Sequence, residues 1–202
     1  RLKLNTWLTK DAIIQGKILP FFGKMPMSQI TPRDVTRWQN ELVEGGKKEG
    51  QAFSKAYLRT LSNQLAAIFN HAVRFYDLRS NPMVGTERMG GGAGRPEMKF
   101  WTKDEYLAFA EEIQDKPMAY TAFEILYWTG IREGELLALT PSDIDLGAHE
   151  LSVTKSYQRL KGKDVVTDPK TPKSVRVVSM PEFLCDEVAE YIDFGGTAPD
   201  QR

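Results

Sequence analysis

Two short stretches place charge where the surrounding sequence is building something else. In TGIREGELLALT, residues 129–140, Arg132, Glu133 and Glu135 stand between two apolar runs; in DPKTPK, residues 168–173, Lys170 and Lys173 flank a Thr-Pro pair. A guanidinium is planar, always charged and offers parallel N–H donors, so it suits an oxyanion such as a phosphate. Glu135 follows three residues later, one turn away on a helix. The pair has two readings: a surface ion pair worth about 0.3–0.5 kcal/mol, or a carboxylate that steadies an arginine held out for a ligand. Arg-x-x-Glu and Lys-Thr are weak patterns singly, so their surroundings must decide.

The chain has 202 residues, of which 41% are hydrophobic and 10% aromatic, enough for a packed core in one large or two small domains. Its longest apolar stretches, Ala119 to Trp128 and Leu136 to Leu139, fall short of the roughly 20 residues of a membrane-spanning helix. No secretory leader is legible. Cys185 is the single cysteine, which excludes an internal disulfide framework, reads as a small apolar helix residue, and suits a reducing cytoplasm. Net charge is zero, but it divides unevenly. Residues 1–85 carry 13 Lys or Arg against 6 Asp or Glu, a balance of +7; residues 86–202 carry 14 against 21, a balance of −7. A basic half joined to an acidic half suggests a polyanion-binding module attached to something with another task.

The elements that must hold these residues can be traced along the chain. Three helices are expected before residue 80: Thr6 to Ile18, ending or bending near Leu19-Pro20; a second from Thr31 and Pro32 to Gly45-Gly46; and a third starting at Ser54, with Tyr57, Leu58, Leu61, Leu65, Ile68, Phe69, Ala72 and Val73 recurring every three or four residues. The opposite face of that third helix carries Lys55, Arg59, Asn63, Asn70 and Arg74, which is either an ordinary solvated face or a nucleic-acid contact. The Gly-rich stretch between Pro82 and Pro96 reads as linker. Beyond it, Thr102 and Glu105 form a capping box, Met118 to Trp128 is helical until Gly130, and a further helix starts near Arg132 and runs through Leu139 to Pro141. ELSVTKSYQ, KDVVTD and SVRVVSM then read as a small antiparallel sheet, and a last helix begins near Pro181. The fold class is therefore mainly α with a small antiparallel β-sheet, α+β. The two histidines, His71 and His149, are isolated and read as structural or solvated, His71 being the better candidate for a DNA contact.

In this order the motifs resemble the tyrosine recombinases, the phage-integrase family. ILPFFGKMPMSQITPRDVTRW, the helix ending in SNP, FWTKDE, TGIREGELLALTPSDID and DPKTPKSVRVVSMP carry the resemblance over nearly the whole chain. It implies an all-α SAM-like core-binding domain over residues 1–84, with one earlier helix expected ahead of it, a linker over 85–98, and the N-terminal part of a catalytic domain over 99–202. It implies DNA cleavage through a phosphotyrosine, with double-stranded DNA as partner, a tetramer on DNA for the full-length protein, and no metal, nucleotide or other cofactor. Arg132 then stabilises charge on the phosphoryl oxygens, helped by backbone N–H groups at the helix start, and Glu135 orients it. Lys170 matches the family's lysine that protonates the leaving 5′-hydroxyl, general-acid help worth typically about 10²- to 10⁴-fold. Lys170 is preferred to Lys173 because the Lys-Thr order is the family's, and Lys173 fits a plain phosphate contact better. Lys55, Arg59, Asn63 and Arg74 are the candidate DNA contacts of the helical half.

The departures from the family are as informative. Of the 32 residues after Lys170 none is His, and the one tyrosine there, Tyr191, lacks the His-x-x-Arg that precedes the family's nucleophile. Tyr191 therefore reads as a helix aromatic, and the chain as a segment of a longer integrase, inactive alone. The competing expectation is a non-catalytic DNA-binding or regulatory protein on the same scaffold; a helical protein-interaction module is a third.

Overall fold

Several helix boundaries in this chain follow capping residues, among them the starts at Ser54 and Thr102 and the end at Gly130. The computed structural model describes residues 2–45, 51–91, 99–169 and 171–193, the side chain of Pro172 aside, and it divides into two compact units, Arg1–Met98 and Lys99–Arg202.

In the first unit α1, Leu4–Ile13, starts ahead of Asn5-Thr6 and without a side-chain cap. It continues through a π-helical turn, Ile14–Ile18, into α2, Leu19–Phe22. Leu19-Pro20 thus does not end the helix. A proline ring ordinarily meets the carbonyl four residues back; here the wider turn shifts the ladder, and the Leu19 N–H donates to Ile14 five residues back. The Lys17 carbonyl in that turn accepts from Trp38 Nε1 at 2.9 Å. Trp38 lies on α3, Pro32–Gly45, which opens with Thr31 donating to the Asp34 carboxylate from both its N–H (3.0 Å) and its hydroxyl (2.7 Å). The long α4, Lys55–Phe75, is capped by Ser54 Oγ, which accepts from the Tyr57 N–H. Val35, Trp38, Leu61, Leu65 and Phe69 are all at most 2% exposed and form the centre of this unit's core.

The glycine-rich stretch is not all linker. Residues 85–91, which composition assigns to a tether, pack on the first unit: Met89 is buried in the core, the Glu87 carbonyl accepts from Gln39 Nε2 (2.9 Å), and the Gly90 carbonyl accepts from Arg59 Nη2 (2.7 Å). Gly90 has a positive φ, and a Cβ there would fall 2.1 Å from the Lys55 carbonyl oxygen. Glycine at this position therefore serves a close backbone approach as well as a turn; composition alone does not distinguish that use from flexibility.

The second unit opens with α5, Lys103–Glu111, started by the Thr102–Glu105 capping box, followed by α6, Pro117–Thr129, which Gly130 ends in the left-handed region at φ +64°. Buried Glu124 of α6 accepts from Tyr106 Oη (2.6 Å) and Trp128 Nε1 (2.8 Å), fastening α5 to α6. α7 is a single turn, Glu133–Leu136, shorter than the leucine run suggests. Ala138 and Leu139 bond only three residues back, tightening the backbone, and Thr140 with Asp143 opens a 3₁₀ turn at Pro141–Asp143. Leu136 and Leu139 pack on the core, but Leu137 is 55% exposed.

The strands form two sheets where sequence suggests one. β1 (Ile144–Asp145), β2 (Glu150–Val153) and β5 (Arg176–Ser179) make an antiparallel sheet in the order β1-β2-β5, while β3 (Ser156–Leu160) and β4 (Lys163–Thr167) form a separate hairpin. ELSVTKSYQ is broken at Thr154-Lys155 because only its first half has an apolar face to bury: Leu151 and Val153 are at most 1% exposed, and β3 has no fully buried residue. α8, Glu182–Asp193, closes the core with Leu184, Cys185 and Val188. Truncating Leu151, fully buried and central to this sheet, to alanine should cost about 2–5 kcal/mol, read as a lower urea midpoint in an unfolding curve followed by circular dichroism.

Candidate functional site

The site is built around one carboxylate. Gly130 ends α6 and turns the chain so that Ile131 is buried and Arg132 emerges, its side chain 74% exposed. Glu135, 8% exposed at its side chain, lies beneath. Its Oε2 accepts from the Arg132 backbone N–H (2.9 Å) and its Oε1 from Arg132 Nη1 (2.7 Å). A third partner comes from β5. Arg176 Nη2 donates to Oε2 at 2.9 Å and Nη1 to Oε1 at 3.2 Å, a parallel fork 41 residues distant in sequence. Each carboxylate oxygen therefore receives two donors.

The electrostatics follow from this geometry. The Arg176 hydrogen bonds, above all, hold the Glu135 carboxyl down to about 2; burial opposes them, and the Arg132 backbone and side-chain bonds add to them. The carboxylate is ionised throughout the neutral range, and Arg132 is held through one edge of its guanidinium while the rest faces solvent. Of the backbone N–H groups expected to help hold an anion at the helix start, that of Arg132 is already engaged by Glu135. A helix of one turn also has little dipole to offer.

Gly134 brings the hairpin close to this turn. A Cβ there would stand 2.8 Å from both Ser156 Oγ and the Tyr157 carbonyl oxygen, so the start of β3 lies directly against α7. Next to it, Lys155 Nζ pairs with Asp143 (2.8 Å) and donates to Thr140 Oγ1 (3.1 Å). Although burial works against the charge, bonds from Lys155 and Thr140 keep the Asp143 carboxyl below its ordinary range. Glu133 is exposed, with no role in this cluster.

The remaining candidates divide. Lys170 lies outside the described residues. Lys173 is exposed on the 3₁₀ turn Pro172–Ser174, immediately ahead of β5. Tyr191 lines a mainly apolar cavity of about 430 Å³ with Ile125, Leu137 and Val188, and neither Arg132 nor Glu135 lines it. In the first unit Lys55, Arg59, Asn63 and Arg74 are all exposed on one side of α4. That side is only partly open, because residues 81–91 run beside it. Asn81 Nδ2 donates to Asn70 Oδ1 (2.7 Å), and Arg59 is tied to Gly90. A cavity of about 830 Å³ between the segment and the helix is lined by Arg59, Ser62, Asn63, Asn70, Asn81 and Arg88, among others. The His71 ring is tilted against that of Phe75, centroids 4.7 Å apart. Among the described residues, no three His, Cys, Asp or Glu side chains converge to hold a metal ion, and no helix is long and apolar enough to cross a membrane.

Sequence reading missed Arg176 and Arg88. The first left a trace: in RVVS alternation puts Arg176 on the same face as Val178, and a cation on an inward face needs a partner. Arg88 left none, since its rim forms only when the glycine-rich segment folds back.

Comparison with known proteins agrees with this architecture. The model of the family described as the phage integrase N-terminal SAM-like domain matches residues 1–43. The ICEBs1 integrase of Bacillus subtilis (strain 168) is 35% identical over 183 residues, 90% of this chain and 48% of that protein. A tyrosine recombinase XerC-like protein of Caldanaerobacter subterraneus subsp. tengcongensis is 30% identical over 181 residues, 83% and 44% of the two. The chain thus spans about half the length of the curated relatives it matches. Among solved structures, the Tn1549 transposon integrase in complex with a circular intermediate DNA has a similar fold, with TM-score 0.79 and 24% identity over 96% of this chain and 60% of that one. A lambda integrase dimer bound to a COC′ core site matches at TM-score 0.66 and 18% identity, over 98% and 51%. The mainly α fold, with its SAM-like first domain and small antiparallel sheets, is that of a tyrosine recombinase. The chain belongs to the phage-integrase family of tyrosine recombinases.

Because the Glu135 carboxyl sits below its ordinary 4.5, its contribution to stability is complete above about pH 4.5 and is lost as the pH falls towards 2. That contribution is on the order of 3 kcal/mol. In Glu135→Gln the acid limb of unfolding free energy against pH should flatten over this window, as measured by urea titrations from pH 5 to pH 2.5.

Proposed function

We propose that this chain is the DNA-gripping and first catalytic portion of a site-specific recombinase, whose parent protein cuts and rejoins strands through a phosphotyrosine and works as an oligomer on double-stranded DNA. The observation that carries the reading is the Arg132–Glu135 arrangement: an exposed guanidinium, permanently charged, fixed at one edge by a buried ionised carboxylate. Such a group suits charge that gathers on a phosphoryl group during attack, because the donors are already oriented before the reaction begins. The proposed lysine acid is Lys170, with Lys173 beside it as a phosphate contact. Lys55, Arg59, Asn63 and Arg74 are proposed to follow the DNA backbone.

The relatives support the wider reading in what they are: integrases, with solved neighbours described as bound to a circular intermediate DNA, as a dimer bound to a core site, and as a tetramer bound to a Holliday junction. The chain spans about half the length of the curated relatives. The nucleophilic tyrosine is proposed to lie in the part of the parent that this chain does not cover, and Tyr191, in its apolar setting, is assigned no chemistry.

Two measurements test this. Duplex affinity of the chain should fall with salt, each neutralised phosphate contributing a slope of about −0.9 in log K against log [salt]; a flat response contradicts DNA-backbone binding. In a parent chain that includes the tyrosine, Arg132→Ala should slow cleavage of a nicked suicide duplex by about 100-fold or more while binding persists. Unimpaired cleavage removes the catalytic assignment and leaves a DNA-binding role alone.

A further inference from the structure

Arg176 does two things at once. Its guanidinium forks onto both oxygens of Glu135, and Nη1 also reaches the Ser174 carbonyl at 3.4 Å. Ser174 ends the 3₁₀ turn that carries Lys173 and directly follows Thr171. That turn is closed on itself by the Ser174 N–H donating to the Thr171 carbonyl (2.9 Å) and by the Thr171 and Ser174 hydroxyls, 3.0 Å apart. On the other side of Glu135 stands Arg132. One half-buried guanidinium, its side chain 31% exposed, therefore touches both the carboxylate beneath the exposed arginine and the turn that bears Lys173.

We propose that Arg176 is a positioning residue, one that fixes Arg132 and the Thr171–Ser174 turn relative to each other by clamping Glu135 opposite Arg132 while holding the Ser174 carbonyl. The inference rests on the recombinase reading for its purpose, though not for its geometry. Three physical points support it. Glu135 alone is attached to its surroundings through a flexible side chain, and the two bonds from Arg132 come from its own local turn, so neither links α7 to the sheet. Arg176 supplies that link from the first residue of β5, whose backbone register is set by pairing with β2, Arg176 opposite Val153. A fork also resists rotation of the carboxylate in a way that a single donor cannot. Lysine would keep the charge and lose the second bond. The base of the active arginine is thus tied to the core sheet, and a change in the lysine turn reaches Arg132 through one residue.

The test uses the chain itself, uniformly labelled with nitrogen-15, so that the arginine Nε–H and the backbone amide signals are read from one sample. In the unsubstituted protein the Arg132 Nε–H signal should be ordered, and in Arg176→Gln its order parameter should fall by about half, with the backbone amide signals of α5, α6 and α8 in place. Arg176→Lys should lie between the two, because charge without the fork restores part of the restraint. Equal Arg132 order in Arg176→Gln and the unsubstituted protein overturns the proposal, as does an Arg132 already disordered in the latter. Should the glutamine variant unfold, the lysine variant decides, and unchanged Arg132 order there is the overturning result. Failure of the recombinase reading looks different: a short duplex titrated at low salt would leave the unsubstituted Arg132 signal unmoved, whatever either Arg176 variant does.

Discussion

A buried carboxylate between two arginines is the constraint on which the second unit is organised. Glu135 has lost nearly all its solvent, and a carboxylate in that position is tolerable only when every lone pair is met. Four hydrogen bonds do this, two from its own turn and two from a strand 41 residues away. Removing either arginine would leave charge in a low-dielectric site, so the turn at Arg132 and the start of β5 are energetically one object. The cost of burying Glu135 yields orientation: the exposed half of Arg132 is directed by contacts made on its hidden half.

The first unit solves a different problem with backbone. Its helices carry a polar side on α4, and part of that polarity serves the chain's own residues 81–91. Asn70 and Arg59 spend hydrogen-bonding capacity internally, and the rim they share with Arg88 encloses a cavity. The basic excess of this half and its helix face are therefore not one feature. Some of the charge is structural, holding the folded-back segment, while the side chains of Lys55 and Arg74 on the same helix are exposed.

How much could be read in advance depended on how local the cause was. Ser54, Thr102 with Glu105, Gly130 and Pro32 act within one turn, and the helices start or stop where those residues sit. Arg132 and Glu135 are three apart and could be paired from spacing alone. Arg176 could not, because its partner is defined by strand register in a sheet whose order, β1-β2-β5, skips the hairpin between. Leucine periodicity overextended α7, since nothing in it marks the three-residue hydrogen bonds that tighten the chain after Leu136. Glycine misled at 85–91 for the same reason: the letter is identical whether it loosens a tether or admits a neighbouring carbonyl, as Gly90 does.

The four residues Arg132, Glu133, Gly134 and Glu135 are consequently unequal in how far each can vary. The first is limited by its bond to the buried Glu135 carboxylate, the third by the distance to the Tyr157 carbonyl, the fourth by its buried bonds to Arg176. Only position 133, exposed and outside the cluster, is free to drift. Substitution through this stretch should therefore be nearly silent at one letter in four, a pattern of tolerance that spacing alone does not suggest and that the β3 backbone, pressed against Gly134, imposes.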